Sequence, residues 1–299
     1  LAVRVGACTT PVFQYAVENW PADPYDLAIV CRPGEEERLR REVEGVLQRE
    51  DGAVPNVRLR FRTDADLAAG AALLEVRFPF APPTAPTVWS GALAPGVLKG
   101  ILDSPTRVRV VEELMKGTAA VVLFLESGKP EADAEARRTL VAVLDEFART
   151  VELPAADPAV AAEAEAAPQK VRFEVIDVRR DDPEEAFLRE MLLATEDDLA
   201  GMTEPMAFPV FGRGRALFAV VGRGINREVL LDACAFLTGP CSCQVKAMNP
   251  GVDLLLSAAW DRLLEGVPYE EFELPPLVGI GTGDRKSTRL NSSHGKLTR

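Results

Sequence analysis

The chain has 299 residues, of which 47% are hydrophobic, and it carries a formal net charge of −12. This length suits one large domain or two ordinary ones with a sizeable hydrophobic core. No apolar run reaches the roughly 20 residues that a membrane-spanning helix needs. So acidic a surface repels nucleic-acid phosphates and anionic lipid headgroups, so neither nucleic acid nor a membrane surface is expected as a partner.

Both ends of the chain carry unusual sequence. It opens on Leu1 rather than methionine, which predicts an upstream segment. Residues 284–294 resemble a translated sequencing adapter, so residues 284–299 are not expected to belong to the fold. This stretch contains His294, the single histidine of the chain. Without it the serine and cysteine triads that need an imidazole base are excluded.

The first predicted unit covers residues 1–98 and begins with a strand. Tyr25–Cys31 ends in a continuous apolar run bounded by turn residues, which predicts a buried strand. Residues 35–50 place apolar side chains at a 3.6-residue spacing and predict a helix with one solvated face. Val57–Thr63 alternates apolar and basic residues, as a strand with one wet face does.

The basic residues of that last strand are Arg58, Arg60 and Arg62. Three cations at alternate positions would suit an anion site. The favoured interpretation is the exposed side of an edge strand, where charge discourages association between sheets.

The second predicted unit covers residues 99–276 and starts with a helix. Ser104 is a capping hydroxyl before a proline, and Val108, Val111 and Met115 are predicted on the buried face. The order strand, helix, strand, helix, strand, strand, helix follows at 119–125, 133–151, 171–178, 183–199, 208–211, 215–221 and 226–238. A right-handed crossover makes the first two strands parallel, and a tight glycine turn makes the last two antiparallel.

Two segments of this region are predicted to lie outside the packed fold. Residues 153–169 are mostly alanine, proline and glutamate with almost nothing to bury, which predicts a linker-like excursion. Residues 277–299 form a tail. Residues 275–280 raise one further alternative, the start of a membrane anchor that was lost with the native C-terminus.

The order of elements in the second unit resembles the thioredoxin fold, in which a hairpin of the last two strands precedes a closing helix. That resemblance implies a cis peptide bond at the start of the third core strand, at Pro209, with Pro205 as the rival position. The first unit carries an abbreviated version of the same pattern. We therefore predict an α/β protein of two thioredoxin-like units with mixed sheets flanked by helices.

Two motifs, FGRGRAL at 211–217 and GPCSCQVK at 239–246, resemble a family of exported bacterial proteins with no established activity. This resemblance spans most of residues 11–276 and implies no catalytic residue. Thioredoxin enzymes place Cys-x-x-Cys directly after the first core strand, where a helix N-terminus lowers the pKa of the thiol. Here residues 126–129 read ESGK, without sulfur, so a conventional disulfide oxidoreductase is not expected.

The first of the five cysteines carries a targeting signal. Val5-Gly6-Ala7 precedes Cys8 and resembles the cleavage site of bacterial lipoproteins, which makes Cys8 a candidate for lipidation. The pattern predicts export to the periplasm or cell envelope, where disulfides form.

The sequence leaves several interpretations open for the other cysteines. Cys234, Cys241 and Cys243 form a C-x6-C-x-C pattern, and with Cys31 they are candidates for a structural disulfide. Cys234 shares a helix face with Leu230, Ala233 and Leu237 and also suits a free buried thiol. Redox chemistry at Cys241 and Cys243 is the third interpretation. Because a closed zinc site needs four ligands and no histidine is at hand, no metal is predicted.

Three arginines near the hairpin, Arg213, Arg215 and Arg223, are candidates for binding a carboxylate or phosphate. Pairing with internal acidic residues is the favoured alternative in so acidic a protein. Gly222-Arg223-Gly224 lacks the third glycine of a dinucleotide fingerprint, so no cofactor is expected.

We predict an exported, non-catalytic binding or scaffolding protein with a protein partner in the cell envelope. Contact with a membrane is expected only through a lipid on Cys8 or a lost C-terminal anchor. The alternative is a thiol-disulfide protein that uses Cys241 and Cys243.

Overall fold

A computed structural model describes residues 10–82, 84–153, 170–240 and 245–264. The predicted excursion from 154 onward, the tail 277–299 and the candidate anchor at 275–280 lie outside these residues. The helices are α1 Val12–Asn19, α2 Glu36–Leu47, α3 Pro95–Leu102, α4 Pro105–Met115, α5 Pro130–Thr150, α6 Ala186–Leu193, α7 Arg227–Thr238 and α8 Asp261–Leu264. The strands are β1 Tyr25–Cys31, β2 Val54–Pro55, β3 Val57–Thr63, β4 Ala72–Arg77, β5 Trp89–Ala92, β6 Ala120–Leu125, β7 Phe173–Val178, β8 Met206–Phe211, β9 Arg215–Ala216, β10 Val220–Val221, β11 Val252–Asp253 and β12 Ser257–Ala258.

The first sheet has the strand order β3-β1-β4-β5. Strand β1 runs parallel to β3 and antiparallel to β4, so this sheet is mixed. Side chains alternate across a strand. Tyr25, Leu27 and Ile29 therefore share one face of β1, where they are fully buried. Asp26, Ala28 and Val30 share the other face, beside the arginines of β3.

The second sheet has the order β11-β9-β8-β6-β7, and β10 also pairs with β8. The run predicted at 119–125 forms β6, whose residues are all buried at the centre of this sheet. Strands β6 and β7 are parallel and β8 and β9 antiparallel, as chain order predicts. The protein is thus α/β with two mixed sheets flanked by helices, and β2 and β12 form a further two-stranded sheet.

The two main sheets share one hydrophobic core. Leu27 and Leu74 from the first sheet and Leu123 and Phe208 from the second belong to the same buried cluster. The predicted boundary after residue 98 falls inside α3, because Pro95 starts a helix there. The division into two units stays a prediction, and the shared core means that separating the sheets would expose apolar surface on both.

The prediction of a cis bond at Pro209 is wrong, because every peptide bond between described residues is trans, including the one before Pro205. Pro209 lies in the middle of β8 and pairs with Val122 of β6. The strand starts earlier than predicted, at Met206, so Pro209 is an interior residue of β8. At such a position the paired strand needs extended trans backbone.

Pro209 also explains why the predicted strand 215–221 is split in two. Leu217 donates its N–H to the carbonyl of Pro209 (2.9 Å), but proline has no N–H to return the second bond. The register shifts by one residue between Val210↔Ala216 and Ala207↔Val220. The chain therefore bulges between β9 and β10.

Candidate functional site

The loop between β6 and α5 is the place where the resemblance puts a reactive dithiol. The carboxylate of Asp133, in the first turn of α5, accepts hydrogen bonds from the N–H (2.7 Å) and hydroxyl (2.6 Å) of Ser127. It also accepts the N–H of Gly128 (3.0 Å). These main-chain donors are the groups that would stabilise a thiolate at a helix N-terminus. Here they are bonded to a carboxylate of the same helix.

The segment before β8 is held against this loop. Lys129 Nζ donates to Thr203 Oγ1 (3.0 Å), and the Arg180 guanidinium donates to the carbonyls of Glu126 (3.0 Å) and Met202 (3.3 Å). Partial burial and the nearby carboxylates of Asp133 and others raise the pKa of Glu126. To act in acid–base catalysis, Glu126 would need a second functional group beside it. The nearby Lys129 and Arg180 cations bond to hydroxyl and backbone oxygens and not to this carboxyl.

The two described cysteines are buried free thiols. Cys31 lies on the inner face of β1, whereas Cys234 lies on α7 in a separate apolar cluster with β6 and α5. Burial raises the pKa of the Cys234 thiol to about 12, and burial raises that of Cys31 as well. The prediction that Cys31 or Cys234 forms a disulfide is therefore wrong, since each is packed in its own apolar surroundings. Cys8, Cys241 and Cys243 lie outside the described residues.

We expect the burial of Cys234 to make the protein sensitive to alkali. An acid whose pKa is raised on folding stabilises the fold fully below its unfolded pKa, here 9.0, and that stability is lost as pH rises toward the folded pKa of about 12. At pH 11 the ionisation of this thiol alone should lower the free energy of unfolding by about 3 kcal/mol relative to its value below pH 9.

Urea unfolding of the parent protein and Cys234→Ala at several pH values between 8 and 11 measures this loss. The variant should show a flatter decline in the free energy of unfolding, whatever its stability at pH 8. Equal slopes for the two proteins would contradict the assignment.

The three hairpin arginines do not come together as an anion site. Arg213 donates to the carbonyls of Val17 (2.7 Å) and Glu18 (3.3 Å), in the last turn of α1. Arg215 pairs with the buried carboxylate of Asp253 (3.0 Å), as the alternative of internal pairing predicts. The Arg223 side chain has no hydrogen bond or ion pair with any described residue. The first two guanidinium groups are already used inside the protein, so the predicted cluster is wrong.

The carboxylate of Asp253 joins both sequence motifs, although no sequence pattern pointed to this residue. It accepts hydrogen bonds from Arg215 of the first motif, from Lys246 of the second and from the main-chain N–H of Asp23 (2.7 Å). Lys246 also pairs with Asp23 (3.0 Å) and donates to the Pro21 carbonyl (2.6 Å). The motifs therefore meet in a buried ion-pair network that fastens the entry to β1 onto the second sheet.

A groove that the sequence did not indicate runs between the C-terminal end of α2 and α3. It consists of a cavity of about 700 Å³ and an adjoining one of about 410 Å³. Its lining combines apolar side chains with charged ones, and Arg49 bridges Asp51 and Asp103 (both 2.8 Å) within it. The hydrogen bond from Arg49 lowers the pKa of Asp51 to about 2. Arg49 is thus neutralised in place and does not offer a free cation to an anionic ligand.

The arginines of β3 lie on the exposed side of an edge strand, as the favoured interpretation predicts. Arg60 pairs with Asp26 (3.0 Å), and Arg62 pairs with Glu75 (2.7 Å) across the outer face of the sheet.

The described chain has no group of three or more His, Cys, Asp or Glu side chains arranged to hold a metal ion. Among the same residues, no helix is both long and apolar enough to cross a membrane. Comparisons with models of protein families, with curated proteins and with solved structures find no match.

Proposed function

We propose that this protein is a non-catalytic binding or scaffolding protein of the bacterial cell envelope, built on a thioredoxin-like scaffold. One observation carries the proposal. At the helix N-terminus where such a scaffold would hold its reactive thiol, the donors of Ser127 and Gly128 are bonded to the Asp133 carboxylate instead. A thioredoxin-like protein without its reactive thiol loses the redox chemistry but can still bind a partner through its surface.

The thioredoxin-like part of the proposal is supported by the topology of the second sheet. The first crossover pair, β6 and β7, is parallel, β8 lies antiparallel on the other side of β6, and a closing helix follows the hairpin. The turn of that hairpin needs positive φ at Gly212 (59°) and Gly214 (97°), which glycine adopts readily.

A protein segment is the partner class that the groove beside α2 favours. Its floor includes Val46, Leu47 and Leu102, and the half-buried ion pair between Arg49 and Asp103 is complete. An apolar floor whose arginine is already paired with two carboxylates suits a peptide segment better than a phosphate or another small anion. The resemblance of the residues before Cys8 to a lipoprotein cleavage site supports a location in the periplasm or envelope.

The redox alternative is tested by measuring activity and thiol accessibility together. The protein should not accelerate the reduction of insulin by dithiothreitol, and Cys241→Ser/Cys243→Ser should behave as the parent does. Thiol titration with and without reductant, followed by peptide mapping, should find the pair either permanently bridged or unreactive. If Cys241 and Cys243 cycle at roughly −180 to −270 mV, in the range of dithiol enzymes, and activity depends on them, the proposal fails.

A further inference from the structure

Strand β3 lies at the edge of its sheet, and no strand of the described residues pairs with its outer side. Asn56 accepts a hydrogen bond from Tyr25 N–H (2.8 Å), and Asp64 donates one to the Cys31 carbonyl (2.8 Å), so even-numbered residues of this strand bond to β1. Main-chain groups alternate sides along a strand. Those of the odd-numbered residues therefore face away from β1, and no described residue bonds to them. These residues are Val57, Leu59, Phe61 and Thr63.

The outer face beside this edge has a surplus of positive charge. The side chains of Arg58, Arg60 and Arg62 are 48%, 54% and 53% exposed. With Arg77 of β4, four guanidinium groups share this face with only two strand carboxylates, Asp26 and Glu75. The protein as a whole carries a formal charge of −12, so this cationic surface stands out against an acidic background.

We propose that the edge of β3 binds an extended acidic segment of a partner protein, which adds to the sheet as a fifth strand. The inference rests on the proposed binding role and names the partner's chemistry at a second surface. Open main-chain groups supply the hydrogen bonds of strand addition. Carboxylates at alternate positions of the segment would lie opposite the three arginines, because directly opposed residues share a face. Apolar residues between them would face Val57, Leu59 and Phe61.

Other occupants fit this edge less well. In an antiparallel pairing of two copies of β3, arginine would lie directly opposite arginine, which is repulsive. A single-stranded nucleic acid would need aromatic side chains for base stacking, and the outward-facing strand residues of this sheet include none. The same arginines that prevent self-association thus select an acidic strand.

The test uses the full chain and a labelled eight-residue peptide of alternating valine and glutamate, with fluorescence anisotropy as the readout. A peptide with lysine in place of glutamate should not bind. Arg58→Gln/Arg60→Gln/Arg62→Gln should weaken the glutamate peptide at least tenfold. The matched control, Arg137→Gln/Arg179→Gln/Arg227→Gln, removes the same charge from three exposed ion pairs elsewhere and should change affinity less than twofold.

Backbone methylation of the peptide separates strand addition from simple charge attraction and does not depend on the folding of any variant. In an antiparallel addition the valine N–H groups face β3, so N-methylated valines should abolish binding while N-methylated glutamates should not. The opposite pattern supports a parallel addition. Equal binding of both methylated peptides, or unchanged affinity in the β3 triple variant, would overturn the inference. Neither result bears on the insulin and thiol assays, which test the binding role separately.

Discussion

Replacing Arg107 with methionine is expected to lower the free energy of unfolding by about 3 to 5 kcal/mol. The side chain is 1% exposed and lies at the start of α4. It donates to the carbonyls of Gly100 (2.6 Å), Ile101 (2.8 Å) and Leu255 (3.3 Å) and to the hydroxyl of Ser104 (3.1 Å). One guanidinium therefore connects α3, α4 and the segment between β11 and β12.

The effect is large because methionine fills the space and leaves the polar partners unpaired. Gly100 and Ile101 lie in the last turn of α3, whose carbonyls have no partner within the helix. The carboxylate of Glu185 is also buried and accepts hydrogen bonds from Ser104 (2.6 Å) and Thr106 (2.7 Å). Burial lowers the Arg107 pKa to about 10, so the group is still charged at pH 7 and balances this carboxylate.

Urea unfolding with linear extrapolation measures the change. Arg137→Met is the matched control, since Arg137 forms an exposed ion pair with Asp177 (2.7 Å) and should cost less than about 1 kcal/mol. Arg107→Lys keeps the charge but loses the planar fork, so it should fall between the two. Equal losses at Arg107 and Arg137 would show that the buried hydrogen bonds contribute little.

Much of the fold follows from signals that are local in sequence. The continuous apolar run at β6 marks the central strand, and the helical crossover that follows it predicts a parallel β7. The capping hydroxyl of Ser104 predicts one helix start, and a second helix is predicted from Asn226; both side chains accept a main-chain N–H in the structure. Such signals depend on residues only a few positions apart, so they can be detected without knowledge of the fold.

Periodicity was less reliable where a charged side chain is buried. The apolar spacing predicts Val108, Val111 and Met115 on the inner face of α4. Val111 is buried and Met115 packs against the core, but Val108 is 39% exposed while Arg107, Val110 and Leu114 are buried. The burial of Arg107 was missed because a charged side chain is rarely buried without partners, here the carbonyls of Gly100, Ile101 and Leu255.

The ion-pair network of Asp253 could not be predicted from the sequence, because its partners lie far apart in the chain. Asp253 contacts Asp23 and Tyr25 across 230 and 228 residues of sequence, and no motif distinguishes this aspartate from others. The groove beside α2 is likewise made by segments that the fold alone brings together. What the sequence did identify is the pair of motifs at 211–217 and 239–246, and the buried carboxylate of Asp253 supplies the physical reason for Arg215 and Lys246 in them.

Replacing Asp253 with alanine is the second change with a large expected effect, a loss of about 3 to 5 kcal/mol in the free energy of unfolding. Its side chain is 2% exposed, and removing it would leave the Arg215 and Lys246 cations without their shared buried counter-charge. The Tyr25 hydroxyl also donates to the Asp253 carbonyl (2.8 Å), so the junction between the sheets should loosen with it.

Asp253→Asn separates charge from shape in this junction. The amide keeps the size of the side chain but turns one acceptor into a donor facing cations, so the loss should be nearly as large as with alanine. Asp177→Ala breaks an exposed pair and should cost less than about 1 kcal/mol. Hydrogen exchange of the β1 amides provides a local readout, since Asp253 variants should lose protection there first if the carboxylate fastens the entry to this strand. A uniform loss of protection across both sheets would instead mean that the junction and the shared core unfold as one cooperative unit.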